Sequence, residues 1–299
     1  MDRITDEHIA HYRQHGYAIV EKFLTDEELT GARENIDACM PGWVDYCDDP
    51  TLPKPESQPK MEGSYPVRDF PYRGRHLNAI TMHPELRQFA QSLMGDEEIY
   101  CEQSHLSFKY KGHRGDRDQH MHMDYGNHTL VYPPDRSKYW QTAYLLYYTE
   151  VTENHAPTAV VSWEHYKEGI HWPASWSREK RPELYEKEVK VIVPAGSLLI
   201  YSMRTFHRGT PFLGDVGRIG QFVTYAPKNY RWLGIVGWPA NAIRQEFREW
   251  VGQATIEELT TLGFPAPGDV YWTEETLAGV GARYPKLDMT PYQQAMLEQ

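Results

Sequence analysis

The spacing of hydrophobic positions divides the chain into three stretches. In the first it is helical. Thr5 and Asp6 can cap a helix carrying Ile9, Tyr12 and His15 and ended by Gly16, and Tyr17 to Val20 follows as a short strand. Thr25, Asp26, Glu27 and Glu28 form a capping box, after which Leu29, Ala32 and Ile36 recur at helical spacing. From Pro41 to Pro71 the periodicity fades and Pro, Asp, Gly and Ser are frequent, which predicts a long loop. Pro84 to Met94 reads as another helix, with Gly95 as its C-cap.

After Gly95 the pattern turns to strands: Ile99 to Lys111, Trp140 to Tyr148, Thr158 to Ser162, Val189 to Val193, Ser197 to Ser202 and Ile219 to Tyr225. Short strands in one block predict a sandwich or barrel rather than alternating βαβ units. Beyond Gly237 helical spacing returns, with Ile243, Phe247, Trp250 and Val251 on one face and a turn or two over Ile256 to Leu262. No repeat and no interior linker stands out. The expected organisation is a single domain over 1–299, mainly β with flanking helices: N-terminal helices in 5–95, a β core over about 97–226 and a helical C-terminal extension in 238–299.

Composition narrows the class of function. The 31 basic residues against 42 acidic ones give a formal charge of −11, the wrong sign for a nucleic-acid or anionic-membrane surface. The 21 Tyr and 9 Trp suit a roomy, half-polar pocket. Cys39, Cys47 and Cys101 fit neither a zinc knuckle nor a disulfide framework and read as free thiols of a reducing compartment. Met1 to Ala10 carries no apolar core of a signal peptide, and Val191 to Met203 is too short for a membrane span. The expectation is a soluble, cytoplasmic protein.

Among 14 histidines the informative one is His122, because Asp124 stands two residues on. In extended backbone these two side chains share a face, giving two thirds of a facial triad, the donor set that holds Fe(II) with three positions open. The third ligand must come from far downstream. His207 qualifies: the apolar strand Ser197 to Ser202 enters, a short loop follows, and His207 precedes a Gly-Thr-Pro turn. Eleven residues further, Arg218 opens a strand where a guanidinium can grip a carboxylate in a bidentate pair.

Together these pieces resemble the phytanoyl-CoA dioxygenase family of Fe(II)/2-oxoglutarate oxygenases. The likeness spans roughly residues 5 to 226 and includes the helix–strand–helix opening His11 to Thr25. The resemblance implies a double-stranded β-helix (jelly roll, cupin-like), with His122, Asp124 and His207 as iron ligands and Arg218 on the distal carboxylate of 2-oxoglutarate. Gln119 matches a position that contacts the cosubstrate in some members. Two residues after the distal histidine many members carry a serine for the cosubstrate. Here Gly209 stands there, leaving Thr210 as the candidate hydroxyl. The implied activity is a dioxygenase that consumes O2 and 2-oxoglutarate, releases succinate and CO2, and oxidises, in the first instance hydroxylates, a small organic molecule such as a specialised metabolite. Related halogenases lack the carboxylate, so Asp124 argues for oxygenation. Two alternatives remain open at this point. One is a cupin-like isomerase or lyase that uses His120 with His122 and no 2-oxoglutarate; the other is a non-catalytic jelly-roll binding protein. The stretches Gly42 to Gly74 and His165 to Arg181, rich in aromatics, are expected to act as lids.

Overall fold

The computed structural model describes residues 2–49, 51–56, 66–95, 98–112, 117–124, 128, 141–166, 171, 174–228, 238 and 244–298. The chain opens with α1 (Asp6–His15), β1 (Tyr17–Val20), α2 (Asp26–Cys39), α3 (Trp43–Asp48), α4 (His76–Thr81) and α5 (Pro84–Met94). The β core follows: β2 (Ile99–Lys109), β3 (Met121–His122), β4 (Thr142–Tyr147), β5 (Thr158–Val161) and β6 (Ser175–Trp176). After α6 (Pro182–Glu186) come β7 (Glu188–Lys190), β8 (Leu198–Ser202), β9 (His207–Gly209) and β10 (Arg218–Pro227). The C-terminal part holds α7 (Gln245–Val251), α8 (Ile256–Thr261), α9 (Glu274–Arg283) and α10 (Thr290–Leu297).

Two antiparallel five-stranded sheets face each other, ordered β1-β8-β4-β10-β2 and β6-β3-β9-β5-β7. This is the expected jelly roll. The first sheet is covered on both faces. Ala143, Leu145, Tyr147, Leu199 and Tyr201 point to the second sheet, where they meet Met121, Val160 and Phe206. Tyr144, Leu146, Leu198, Ile200 and Val223 point outward and are capped by Ala32, Ile36, Leu77, Leu86, Phe89, Phe247 and Trp250 of the helices. With both faces dry, β4 and β8 read as continuous apolar runs instead of an alternation.

Several expectations are revised. The sheet recruits β1, which pairs with β8 in register Tyr17↔Tyr201 and lies well outside the expected 97–226 core. The loop expected from Pro41 to Pro71 contains α3, started by Gly42 at φ +79°. Trp43 is fully buried there, its ring 5.1 Å from Phe108 and 4.6 Å from Tyr110, so this aromatic side chain covers the outer face of β2 rather than a substrate. The second expected lid also differs: Ser175–Trp176 is the edge strand β6, paired with β3. Residues 50, 57–65, 167–170 and 172–173 of those two stretches, and Ile243 of the expected C-terminal helical face, lie outside the described residues. The C-terminal extension forms real helices with a small core of its own, Trp272, Leu277 and Tyr292. No helix among the described residues is long and apolar enough to cross a membrane.

One glycine joins the helical layer to the β core. Gly16 ends α1 in the left-handed region at φ +81°. Its carbonyl accepts from the Ser202 amide (3.0 Å) and the Thr205 hydroxyl (2.7 Å), fixing the turn that leads into β9. A Cβ at this position would sit 2.3 Å from the Trp163 indole and 2.6 Å from Thr205 Oγ1. Gly16→Ala therefore combines left-handed strain of about 1–2 kcal/mol with overpacking of about 1–3 kcal/mol. Denaturant unfolding should show a loss of roughly 2–5 kcal/mol, whereas a loss below about 1 kcal/mol would mean that Trp163 simply swings away.

Candidate metal centre

The centre is built where two very short strands meet. β3 and β9 pair antiparallel with His122 directly opposite His207, and the two imidazole centroids are 4.5 Å apart. Asp124 follows His122 as the chain leaves β3. His122 Nε2 lies 3.5 Å from Asp124 Oδ1, and His207 Nε2 lies 3.3 Å from Asp124 Oδ2. One ligand atom from each of the three falls within 4.8 Å of the others. His207 opens β9, which a short loop joins to β8.

The imidazoles are held in one tautomer by their own backbones. His122 Nδ1 faces the His120 carbonyl at 2.8 Å, and His207 Nδ1 faces the Thr205 carbonyl at 2.9 Å. A carbonyl only accepts, so Nδ1 carries the proton in both rings and each Nε2 lone pair is free to point at the common centre. Tyr201, on β8, donates its hydroxyl to Asp124 Oδ2 at 3.1 Å. Burial alone would push Asp124 up, yet the imidazoles of His207 and His122 hold its carboxyl well below the usual range. The same carboxylate raises His207 against the opposing effect of burial. Two imidazole nitrogens and one carboxylate suit a divalent first-row ion such as iron(II), while magnesium and calcium favour all-oxygen sites.

Positioning residues absent from the sequence reading surround this core. Arg208 clamps both Glu188 oxygens at 2.7 Å and also pairs with Asp118, tying β9 to β7 and to the segment before β3. Tyr185 accepts from the Met121 amide (2.9 Å) and donates to the Trp176 carbonyl (2.7 Å), joining β3 to β6. His120 is exposed and lends only its carbonyl, which removes the support for a His120–His122 metal site.

Arg218 is buried at the start of β10, with Nη1 donating to the Ala156 carbonyl at 2.5 Å and the guanidinium 5.5 Å from the Tyr147 ring centre. Gln119 is engaged with Gly209 twice: its side-chain Oε1 accepts from the Gly209 amide (2.8 Å) and its backbone N–H donates to the Gly209 carbonyl (3.0 Å). Thr210 is buried and its hydroxyl donates to the Pro157 carbonyl at 2.8 Å, so its one proton is already used. Lys109, the register partner of Arg218, was not a candidate in the sequence. Its signal there was phase: His105, Ser107 and Lys109 occupy alternate positions on one face of β2.

A jelly roll that brings two histidines and a carboxylate to one point, with a buried arginine on a strand of the facing sheet, defines a non-haem iron, 2-oxoglutarate-dependent oxygenase. The chain belongs to the phytanoyl-CoA dioxygenase family, whose model matches residues 12–220. No curated relative matches the sequence. Among solved structures, the epimerase SnoN in complex with Fe3+, alpha ketoglutarate and nogalamycin RO is 14% identical with a TM-score of 0.53, over 74% of this chain and 83% of that one. The alpha ketoglutarate-dependent carbocyclase SnoK from nogalamycin biosynthesis is 17% identical with a TM-score of 0.51, over 76% and 85%. HygX from Streptomyces hygroscopicus, with nickel and 2-oxoglutarate bound, is 13% identical with a TM-score of 0.53, over 76% and 88%.

The Tyr201 hydroxyl gives the centre its first test. Tyr201→Phe keeps the packing and removes one donor to Asp124, so metal affinity, read by competition with a chromophoric chelator, should fall about 10- to 100-fold. An unchanged affinity would show that Asp124 is oriented without it.

Proposed function

We propose that His122, Asp124 and His207 hold one iron(II), that Arg218 receives the distal carboxylate of 2-oxoglutarate, and that the enzyme hydroxylates a small organic molecule. The observation that carries this reading is the convergence of two Nε2 lone pairs and a carboxylate on one point, with both tautomers fixed. When bound, iron(II) and 2-oxoglutarate supply the oxidising power, with O2 consumed and the cosubstrate converted to succinate and CO2. The chain's own residues do the positioning. His122 and His207 present Nε2, Asp124 fills the third protein position and contributes the negative charge, and Tyr201 keeps that carboxylate oriented. A carboxylate in that position leaves no place for a halide, which favours oxygenation over halogenation.

The space beside the centre has a mixed polar and aromatic wall. His105 stacks on Phe222 with ring centroids 5.1 Å apart and an interplanar angle of 22°. His128 is buried, and its Nδ1 has no hydrogen-bond partner among the described residues. Both histidines feel the charge of Asp124. Such a wall suits a ring-bearing molecule with hydroxyl or amino groups. Specialised metabolites fit that description, and the solved structures of HygX with hygromycin B and SnoN with nogalamycin RO support the class.

Two outcomes test the reading. His207→Ala or Asp124→Ala should abolish stoichiometric metal binding and succinate formation together; full turnover in either variant would remove that residue from the centre. Arg218→Lys keeps the charge and loses the planar fork, so 2-oxoglutarate binding should weaken by about 1–3 kcal/mol, roughly 5- to 150-fold. A metal-loaded protein that consumes substrate without forming succinate would favour a cupin-like isomerase or lyase.

A further inference from the structure

We propose that Lys109 is a second cation of the cosubstrate site, its ammonium standing beside Arg218 in space left by the missing side chain of Gly209. The proposal rests on the reading of Arg218 as the receiver of the distal carboxylate, and three observations carry it. Lys109 and Arg218 are register partners on β2 and β10, so their side chains leave the sheet on the same face. That face is the inner one, because His105, in phase with Lys109, stacks on Phe222, which packs into the core between the sheets. The Lys109 side chain crosses to the second sheet: its Nζ lies 2.3 Å from where a Cβ on Gly209 would be, with Gln119 Oε1 2.9 Å from the same point.

Position 209 must therefore lack a side chain for Lys109 to occupy this place. Gly209 lies two residues past His207 on β9, so the ammonium borders the strand that carries the proposed iron ligand. Neither cation has an acidic partner among the described residues. Asp118 and Glu188, the acids on neighbouring segments, are both taken by Arg208. Burial, with Arg218 opposite, brings the Lys109 ammonium down to about 7. Two adjacent, half-dry cations without a counter-charge are unfavourable by themselves and form a receptor for an anion. A dicarboxylate whose keto-acid end faces the metal carries such an anion at its far end. Gln119, pinned to Gly209 twice, then acts as a positioning residue: its Oε1 borders the ammonium and limits where it can sit.

The test is calorimetry on the iron(II)-loaded protein without O2, comparing 2-oxoglutarate with 2-oxovalerate, which has the same chain length and a methyl group in place of the distal carboxylate. In Lys109→Met the affinity for 2-oxoglutarate should fall about 10- to 100-fold, while 2-oxovalerate should bind within about twofold of the unmodified protein. Gly209→Ala should weaken 2-oxoglutarate binding through the collision with Nζ, and the loss should be smaller once Lys109 is removed, a coupling measured by the cycle of Lys109→Ala, Gly209→Ala and the double variant. Unchanged 2-oxoglutarate affinity in Lys109→Met, or an equal loss for both acids, would overturn the role of Lys109. An unmodified protein that does not prefer 2-oxoglutarate over 2-oxovalerate would instead overturn the reading of Arg218 on which it rests.

Discussion

The cross-strand pair of His122 on β3 and His207 on β9 is the constraint on which the chemistry of this protein depends. Between them these strands have only five residues. Strands so short cannot hold a register by their own ladder, yet a slip of one residue would turn one imidazole to the other face. The register must be imposed from outside. Arg208 supplies one anchor by gripping Glu188 and Asp118 with the side chain between His207 and Gly209. Tyr185 supplies another from the β6 side. Gly16 fixes the turn before His207 from the helical layer.

This explains why so much of the molecule is scaffold. The large sheet is dry on both faces, and its outer face is sealed by helices from both ends of the chain. A sheet packed in this way is stiff, and it presents Tyr201 to Asp124 from below the centre. The carboxylate in turn sits between two imidazoles whose far nitrogens are tied to backbone carbonyls. Asp124 is thus restrained from β8 and each imidazole by a carbonyl two residues before it, so all three ligands are oriented by contacts beyond the metal itself.

Charge is distributed along the site with the same economy. At the metal end a carboxylate is surrounded by histidines. At the far end, Arg218 and Lys109 stand on adjacent strands with no acidic partner among the described residues. A ligand with negative charge at one end and a chelating group at the other fits this polarity in one orientation only. The inner wall between them, from His105 and Phe222 to His128, is less polar and carries hydrogen-bonding groups suited to a neutral or weakly basic molecule.

Much of this was legible in the sequence because it is local. The capping box at Thr25, the C-cap at Gly95 and the strand runs from Ile99 onward are set by nearest neighbours and side-chain period, and each appears in the structure. His122 and Asp124 were legible because a spacing of two has a geometric meaning in extended backbone, and His207 because it follows an apolar strand. The resemblance to a known family joined these pieces across the 82 residues that lie between Asp124 and His207 in sequence. What the tertiary structure decided is everything that depends on which strands become neighbours. The pairing of β1 with β8, the helix inside the expected loop at 41–71, and the use of Ser175–Trp176 as an edge strand are long-range choices, settled by which apolar faces remain to be covered. Lys109 is the clearest case. In the sequence it is one lysine at the end of a strand, and Gly209 is one missing side chain. Only the folding of β2 against β10, and of the two sheets against each other, brings the ammonium into the space that the glycine leaves.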